Sequence, residues 1–221
     1  MGMDFPATFD NYALYFYGEY GLFTRFTLIT SMPFFKQSIS EANFLRGETN
    51  GYLAGDLELQ SKYQFLDRPV VASALIGLKL PVGYEVYDLP PLGNDETDFD
   101  TKMLLGVSLY PIPAYITGDV GYRFRGGDFV DEWNYTLEAG YTLRNKFLFR
   151  FLTTSIKSTH EAEGESTLLG FPLAQEQVRF GGGVIFIWNQ RIELDVTYLK
   201  TTSGKNIPSF GEFFFGIAFK K

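Results

Sequence analysis

The 221-residue chain carries 19 Lys and Arg against 26 Asp and Glu, a formal net charge of −7, and it has no cysteine. That balance excludes a nucleic-acid binder, because no basic face outweighs the carboxylates, and the missing cysteine excludes disulfide scaffolds, thiol chemistry and Cys-based zinc sites. An apolar fraction of 45%, with 23 Phe, 14 Tyr and 23 Gly, excludes a disordered chain and suits strands better than helices.

No stretch approaches the about 20 mostly apolar residues that a spanning helix needs. Met1-Gly2-Met3-Asp4-Phe5-Pro6 has neither the charged nor the apolar region of a secretory leader, so an exported protein would have lost its signal from the chain shown. The mean hydropathy of −0.05 still fits a membrane β-barrel, whose alternating strands average to neutral.

Alternation with period 2 runs through the chain. Two runs, roughly Tyr12–Tyr20 and Arg25–Phe34, come first. From Gly55, Leu57, Leu59, Ser61, Tyr63 and Phe65 share one face, and Asp56, Glu58, Gln60, Lys62 and Gln64 the other. After Asp67-Arg68-Pro69 the pattern resumes over Val71–Leu80, then from Phe99 to Leu109. It continues beyond Pro111-Ile112-Pro113 over Ile116–Arg125, and over Glu132–Leu143. Arg144-Asn145 turns into a run from Lys146 to Phe151; Gln177–Trp188, Arg191–Tyr198 and Glu212–Lys220 complete the set. That makes eleven expected strands of about ten residues each. Short connections near Gly21–Thr24, Asp67–Pro69, Pro111–Pro113, Arg144–Asn145 and Asn189–Gln190 alternate with longer ones. The longer ones are Phe35–Ala54, Pro81–Asp98, Gly126–Asp131, Ser158–Ala174 and Ser203–Gly211.

Short turns alternating with long loops predict an all-β, up-and-down antiparallel transmembrane β-barrel in a bacterial outer membrane, formed by residues 1–221 as a single domain. A soluble barrel would bury its apolar face, and a membrane barrel exposes it. Two features decide for the membrane: the strand number exceeds the eight of a small ligand barrel, and aromatics gather near strand ends. Tyr12, Tyr20, Tyr110, Trp133, Tyr141, Trp188 and Tyr198 are the expected interfacial girdle. The partners are then the lipid bilayer and lipopolysaccharide, with a small-molecule solute, no nucleic acid and no cofactor. The polar face becomes the lumen. Its charges are Glu19, Arg25, Glu58, Lys62, Lys79, Asp100, Lys102, Asp119, Arg123, Arg125, Glu138, Lys146, Arg150, Arg179, Glu193, Asp195 and Lys200. They either pair and hold the barrel shut or form rings that set solute preference.

Single-chain bacterial barrels have an even strand number. Eleven therefore predicts twelve for the complete protein: residues Met1–Phe9 are too few for a full rising strand, so either they form a stub or the native first strand lies upstream of Met1.

Several segments carry a resemblance. Tyr17-Gly18-Glu19-Tyr20-Gly21-Leu22-Phe23-Thr24-Arg25-Phe26-Thr27-Leu28, Gly55-Asp56-Leu57-Glu58-Leu59-Gln60-Ser61-Lys62-Tyr63-Gln64-Phe65-Leu66, Gly77-Leu78-Lys79-Leu80-Pro81-Val82-Gly83 and Gly121-Tyr122-Arg123-Phe124 follow in order. Together they resemble the outer-membrane β-barrel family of the meta-pathway phenol-degradation (transporter-like) group, over most of residues 12 to 143. The resemblance implies a passive channel for small, often aromatic or hydrophobic, compounds. The chain departs from it at the missing upstream strand and at Lys220-Lys221, which follow the aromatic Phe219.

Other chemistry is weakly supported. His160 is the lone histidine, with Ser155, Ser166, Glu161, Glu163 and Glu165 nearby. It reads as a solvated loop residue rather than part of a hydrolase triad, so no enzyme is expected. Asn94-Asp95-Glu96-Thr97-Asp98-Phe99-Asp100 lacks the spacing of a calcium loop and reads as a solvated acidic loop, so no metal is expected. Gly181-Gly182-Gly183 reads as a bend or a close approach within a strand. Phe171-Pro172-Leu173 and Ile207-Pro208 are candidates for folding over the mouth. A closed structural or anchoring barrel is the alternative to a channel.

Overall fold

The computed structural model describes residues 9–41, 46–85, 90, 92–161, 167–168, 171–205, 207 and 210–220, with backbone alone for residues 9, 167, 168, 171 and 172. Its strands are β1 (Phe9–Phe23), β2 (Phe26–Ser40), β3 (Gly47–Tyr52), β4 (Gly55–Leu66), β5 (Val70–Val82), β6 (Asp98–Ser108) and β7 (Ala114–Phe124). They continue as β8 (Glu132–Leu143), β9 (Phe147–Ser158), β10 (Thr167–Leu168), β11 (Phe171–Pro172), β12 (Glu176–Ile187), β13 (Ile192–Lys205) and β14 (Gly211–Phe219). Eleven of them form one meander in the order β1-β2-β4-β5-β6-β7-β8-β9-β12-β13-β14, with β3 added on β2 as a twelfth, while β10 and β11 make a separate hairpin. The main-path strands are the eleven expected runs. The paired neighbours run antiparallel, as in an up-and-down barrel.

The local causes are visible at the turns. Arg144 and Asn145 both adopt positive φ (52° and 55°), a conformation that matches the strand twist, and with Lys146 they make the three-residue connection from β8 to β9. The longer connections hold structure that periodicity did not show. β2 runs on to Ser40 and pairs with β3 above the point where β4 leaves it, because Phe34 bulges out and shifts the register. The expected Phe35–Ala54 loop is therefore largely a hairpin extension.

Exposure alternates as it does in an inside-out protein. Along β8, Trp133, Tyr135, Leu137, Tyr141 and Leu143 are exposed, while Glu132 and Gly140 between them are buried and Asn134, Thr136 and Glu138 half-buried. The same inversion holds on β4, β7 and β9. The sheet curls until Tyr15 of β1 comes within electrostatic reach of Glu212 of β14. Among the described residues no ladder joins those two strands. The buried apolar residues gather largely at the loop end, in Ala54, Leu92, Phe129, Val130, Leu173 and Ala174, rather than along the strands.

Candidate functional site: a charged lumen with an open turn-side cavity

Register decides which charges meet on the inner face. Lys79 of β5 lies opposite Asp98 of β6 and Glu58 of β4, and Asp100 of β6 opposite Arg123 of β7. The pairs that form are short. Lys79 is 2.9 Å from Asp98 and 3.6 Å from Asp56, at 6% exposure for its side chain and 1% for that of Asp98. Arg123 grips Asp100 through two nitrogens, at 2.8 and 3.0 Å, and reaches Glu58 at 3.8 Å. Arg125, just past β7, sits 3.0 Å from Glu132 and stacks its guanidinium over Phe129. These groups make a continuous belt across β4 to β8 near the loop end.

Two smaller clusters complete the inner face. Arg150 donates to Asp195 at 2.6 Å and to Thr197 at 2.8 Å, and stands 3.7 Å from Glu138, which accepts from the Tyr115 hydroxyl at 2.5 Å. Arg179 donates to Glu212 at 2.8 Å and to Thr154 at 3.1 Å. Nearer the turns, Lys62 is 3.4 Å from Glu19, and Glu193 pairs with Lys220.

Glycines on the inner face make room for these long side chains. A Cβ on Gly140 would stand 2.2 Å from the Tyr115 ring, one on Gly121 2.6 Å from Lys102 Cγ, and one on Gly77 2.9 Å from Gln60 Cγ. The triple glycine of β12 is a close approach rather than a bend. Gly181 would bring a Cβ within 1.9 Å of the Tyr198 carbonyl oxygen, and Gly183 within 2.2 Å of Thr197 Oγ1.

The loop-end mouth is filled. Leu92 is almost fully buried against Gly51, and its carbonyl accepts from the Lys36 ammonium. Asn94 accepts from Lys79, and the Gly126 amide donates to Asp98 at 3.1 Å. The Val130 amide donates to the Leu173 carbonyl at 2.9 Å, so the β7–β8 loop and the segment before β12 interlock. Tyr84 anchors the β5–β6 loop, donating to Asp56 at 3.0 Å and accepting from the Asp95 amide at 2.8 Å. Burial first, and then the Asp56 carboxylate, push the Tyr84 phenol above the ordinary tyrosine value. Its contribution is therefore fully present below the unfolded value of about 10 and is lost only as pH rises toward the folded one. Tyr84→Phe should speed hydrogen exchange of the Asp95 amide by roughly fivefold, the equivalent of one hydrogen bond of about 1 kcal/mol; an unchanged rate would show that the hydroxyl does not hold the loop.

At the turn side the lumen is open. A cavity of about 500 Å³ is bordered there by Lys62, Gln64, Ser73, Leu104, Tyr115 and Asp119, among others.

The structure places most expected lumen charges on the inner face: Glu19, Glu58, Lys62, Lys79, Asp100, Lys102, Asp119, Arg123, Arg125, Glu138, Arg150, Arg179, Glu193 and Asp195. Three need correction. Arg25 lies in the turn between β1 and β2, and Lys146 in the turn before β9, since those strands start one residue later than the periodicity suggested. Lys200 has the parity of Tyr198, lies opposite Phe180 and is exposed, so it is on the outer face. The acidic segment is not a solvated loop either. Asp98 and Asp100 are 1% and 2% exposed and are held by Lys79 and Arg123. Periodicity could have found Asp56, Asp98, Glu132 and Glu212, which share the inward parity of their strands. Lys36, Tyr84 and Asn94 follow from loop paths that carry no period. Of the seven expected girdle residues, Tyr12, Tyr20, Trp133, Tyr141, Trp188 and Tyr198 are exposed on the outer face, while Tyr110 is exposed in the turn between β6 and β7. His160 is exposed beside Thr159, whose hydroxyl is 3.0 Å from its Nδ1, and Ser166, Glu163, Glu165 and Pro208 lie outside the described residues.

Residues 8–215 match the family described as "Putative MetA-pathway of phenol degradation". The chain belongs to that family. Its fold is similar to that of an outer membrane channel from Pseudomonas putida F1, with a TM-score of 0.73 at 17% identity, covering 96% of this chain and 82% of the other. It is also similar to the KdgM porin (TM-score 0.57, 7% identity, 97% and 99% covered) and to the NanC porin (TM-score 0.54, 10% identity, 97% and 99% covered). No curated protein matches. The family member thus has the antiparallel β-barrel fold of outer membrane channels, with an ionic lumen inside and aromatics outside.

Proposed function

We propose that the protein is a passive outer-membrane channel for small molecules, including hydrophobic and aromatic ones. The observation that carries this reading is the inverted polarity: large apolar side chains are exposed around the sheet while the inner face is lined with charges and a cavity of about 500 Å³. A soluble β-protein gains stability by burying those apolar residues, whereas a barrel in lipid has no such need. Family membership and the folds of the similar channels and porins support it. Trp133 at the loop end of β8, and Tyr141 and Trp188 at the turn ends of β8 and β12, suit the two interfaces of a bilayer. Lys157 and Lys200, exposed on the outer face toward the loop ends, suit the phosphates of lipopolysaccharide.

Refolded protein in planar bilayers should give discrete conductance steps; correctly folded protein that gives none would exclude the channel. A second reading has the filled mouth in its favour. A barrel whose loops interlock over the lumen can serve as a closed anchor, and the same experiment separates the two.

A further inference from the structure

We infer that Lys102 and Asp119 are the pair that sets the solute preference of the lumen, a reading that rests on the channel function proposed above. The argument begins with the pairing of the inner-face charges. Among the described residues, Glu19, Asp56, Glu58, Asp98, Asp100, Glu132, Glu138, Glu193, Asp195 and Glu212 each have a Lys or Arg nitrogen within 4.0 Å. Asp119 has none, and its Oδ1 is shielded from solvent without a hydrogen-bond partner. Lys102 is its counterpart, an inner-face cation whose side chain forms no ion pair and no hydrogen bond among the described residues.

Their positions explain why these two stand apart. Lys102 lies opposite Gly121, and Asp119 opposite Leu104, on the neighbouring strands β6 and β7. They are diagonal neighbours, a relation that separates residues by roughly 7–8 Å. The lysine leans across Gly121, where an added Cβ would stand 2.6 Å from its Cγ. Asp119 borders the turn-side cavity, and Lys102 stands one inward position above Leu104, which also borders it. The pair therefore occupies the boundary between the self-neutralised ionic belt and the open half of the lumen. A paired charge contributes little field beyond its partner, whereas two unpaired opposite charges on one wall leave a local field at the side of the passage. A charged or strongly dipolar small solute crossing this boundary meets Asp119 with its positive end and Lys102 with its negative end.

The test is the reversal potential of the reconstituted channel under a potassium chloride gradient, with heat-modifiable gel mobility as the check on folding. Asp119→Asn should shift preference toward anions and Lys102→Gln toward cations, each by a roughly two- to fivefold change in permeability ratio, the effect of one unit charge at about 4 Å in a water-like medium. The double variant should return toward the wild-type ratio. Folded, conducting single variants that keep the wild-type ratio, or that shift it in the same direction, overturn the inference and leave the channel standing. A folded wild-type protein that does not conduct overturns the channel reading and this inference with it.

Discussion

Lys79→Met should destabilise the protein by about 3 kcal/mol, the lower end of what removing one partner of a buried ion pair costs. The lysine's own burial is not the source of that loss, because methionine replaces most of its aliphatic stem. The source is Asp98, whose side chain is 1% exposed and loses the ammonium 2.9 Å away. Arg125 at 3.9 Å and the Gly126 amide at 3.1 Å keep part of that carboxylate satisfied, which is why the lower end applies. Asp56 loses its partner at 3.6 Å, and Asn94 loses its donor, so the β5–β6 loop loosens as well. Urea-induced unfolding in lipid vesicles measures the effect. The double variant Lys79→Met/Asp98→Leu should recover most of it, since replacing both members of a buried pair removes the stranded charge. A single variant as stable as the parent would mean that water reaches Asp98.

Gly181→Ala should cost about 3 kcal/mol or more, at the upper end of overpacking effects, and should slow or prevent recovery of the folded barrel. The added Cβ would lie 1.9 Å from the Tyr198 carbonyl oxygen and 2.9 Å from Leu199 Cα. Both obstacles are backbone atoms of β13, so no rotamer change relieves the contact, and the β12–β13 ladder must open instead. Gly216→Ala is the matched control on β14. Its new Cβ meets Asp195 Cβ at 3.5 Å, an ordinary contact, and stability should change by less than about 0.5 kcal/mol. Heat-modifiable gel mobility reads both variants. Equal behaviour would show that β12 and β13 can separate locally without cost.

The fold was legible because a sheet in lipid writes a strict two-residue period into the chain. Tyr63, Leu137 and Phe149 could be assigned to the outer face from their neighbours alone, and all three are exposed there. Parity also carried most of the lumen charges. It failed at strand ends, where the period stops before the chain turns: Arg25 and Lys146 became turn residues. Lys200 failed for a different reason. A polar residue is expected to face inward, but its parity with Tyr198 places Lys200 on the outer face, opposite Phe180. The mouth was least legible. Lys36 reaches Leu92, which lies 56 residues away in the chain, and no local pattern announces a contact of that separation.

The inner-face glycines bear on how wide the passage is. Tyr115, Lys102 and Gln60 lie flat over Gly140, Gly121 and Gly77 instead of standing away from the wall. Each glycine is a recess that stows a neighbour's side chain. The bore is consequently governed by the residues that have no side chain as much as by the charged ones that line it. A lineage could narrow or widen its passage by gaining or losing a single methyl group at the Gly77 recess, leaving its ion pairs and the Lys102 and Asp119 charges in place.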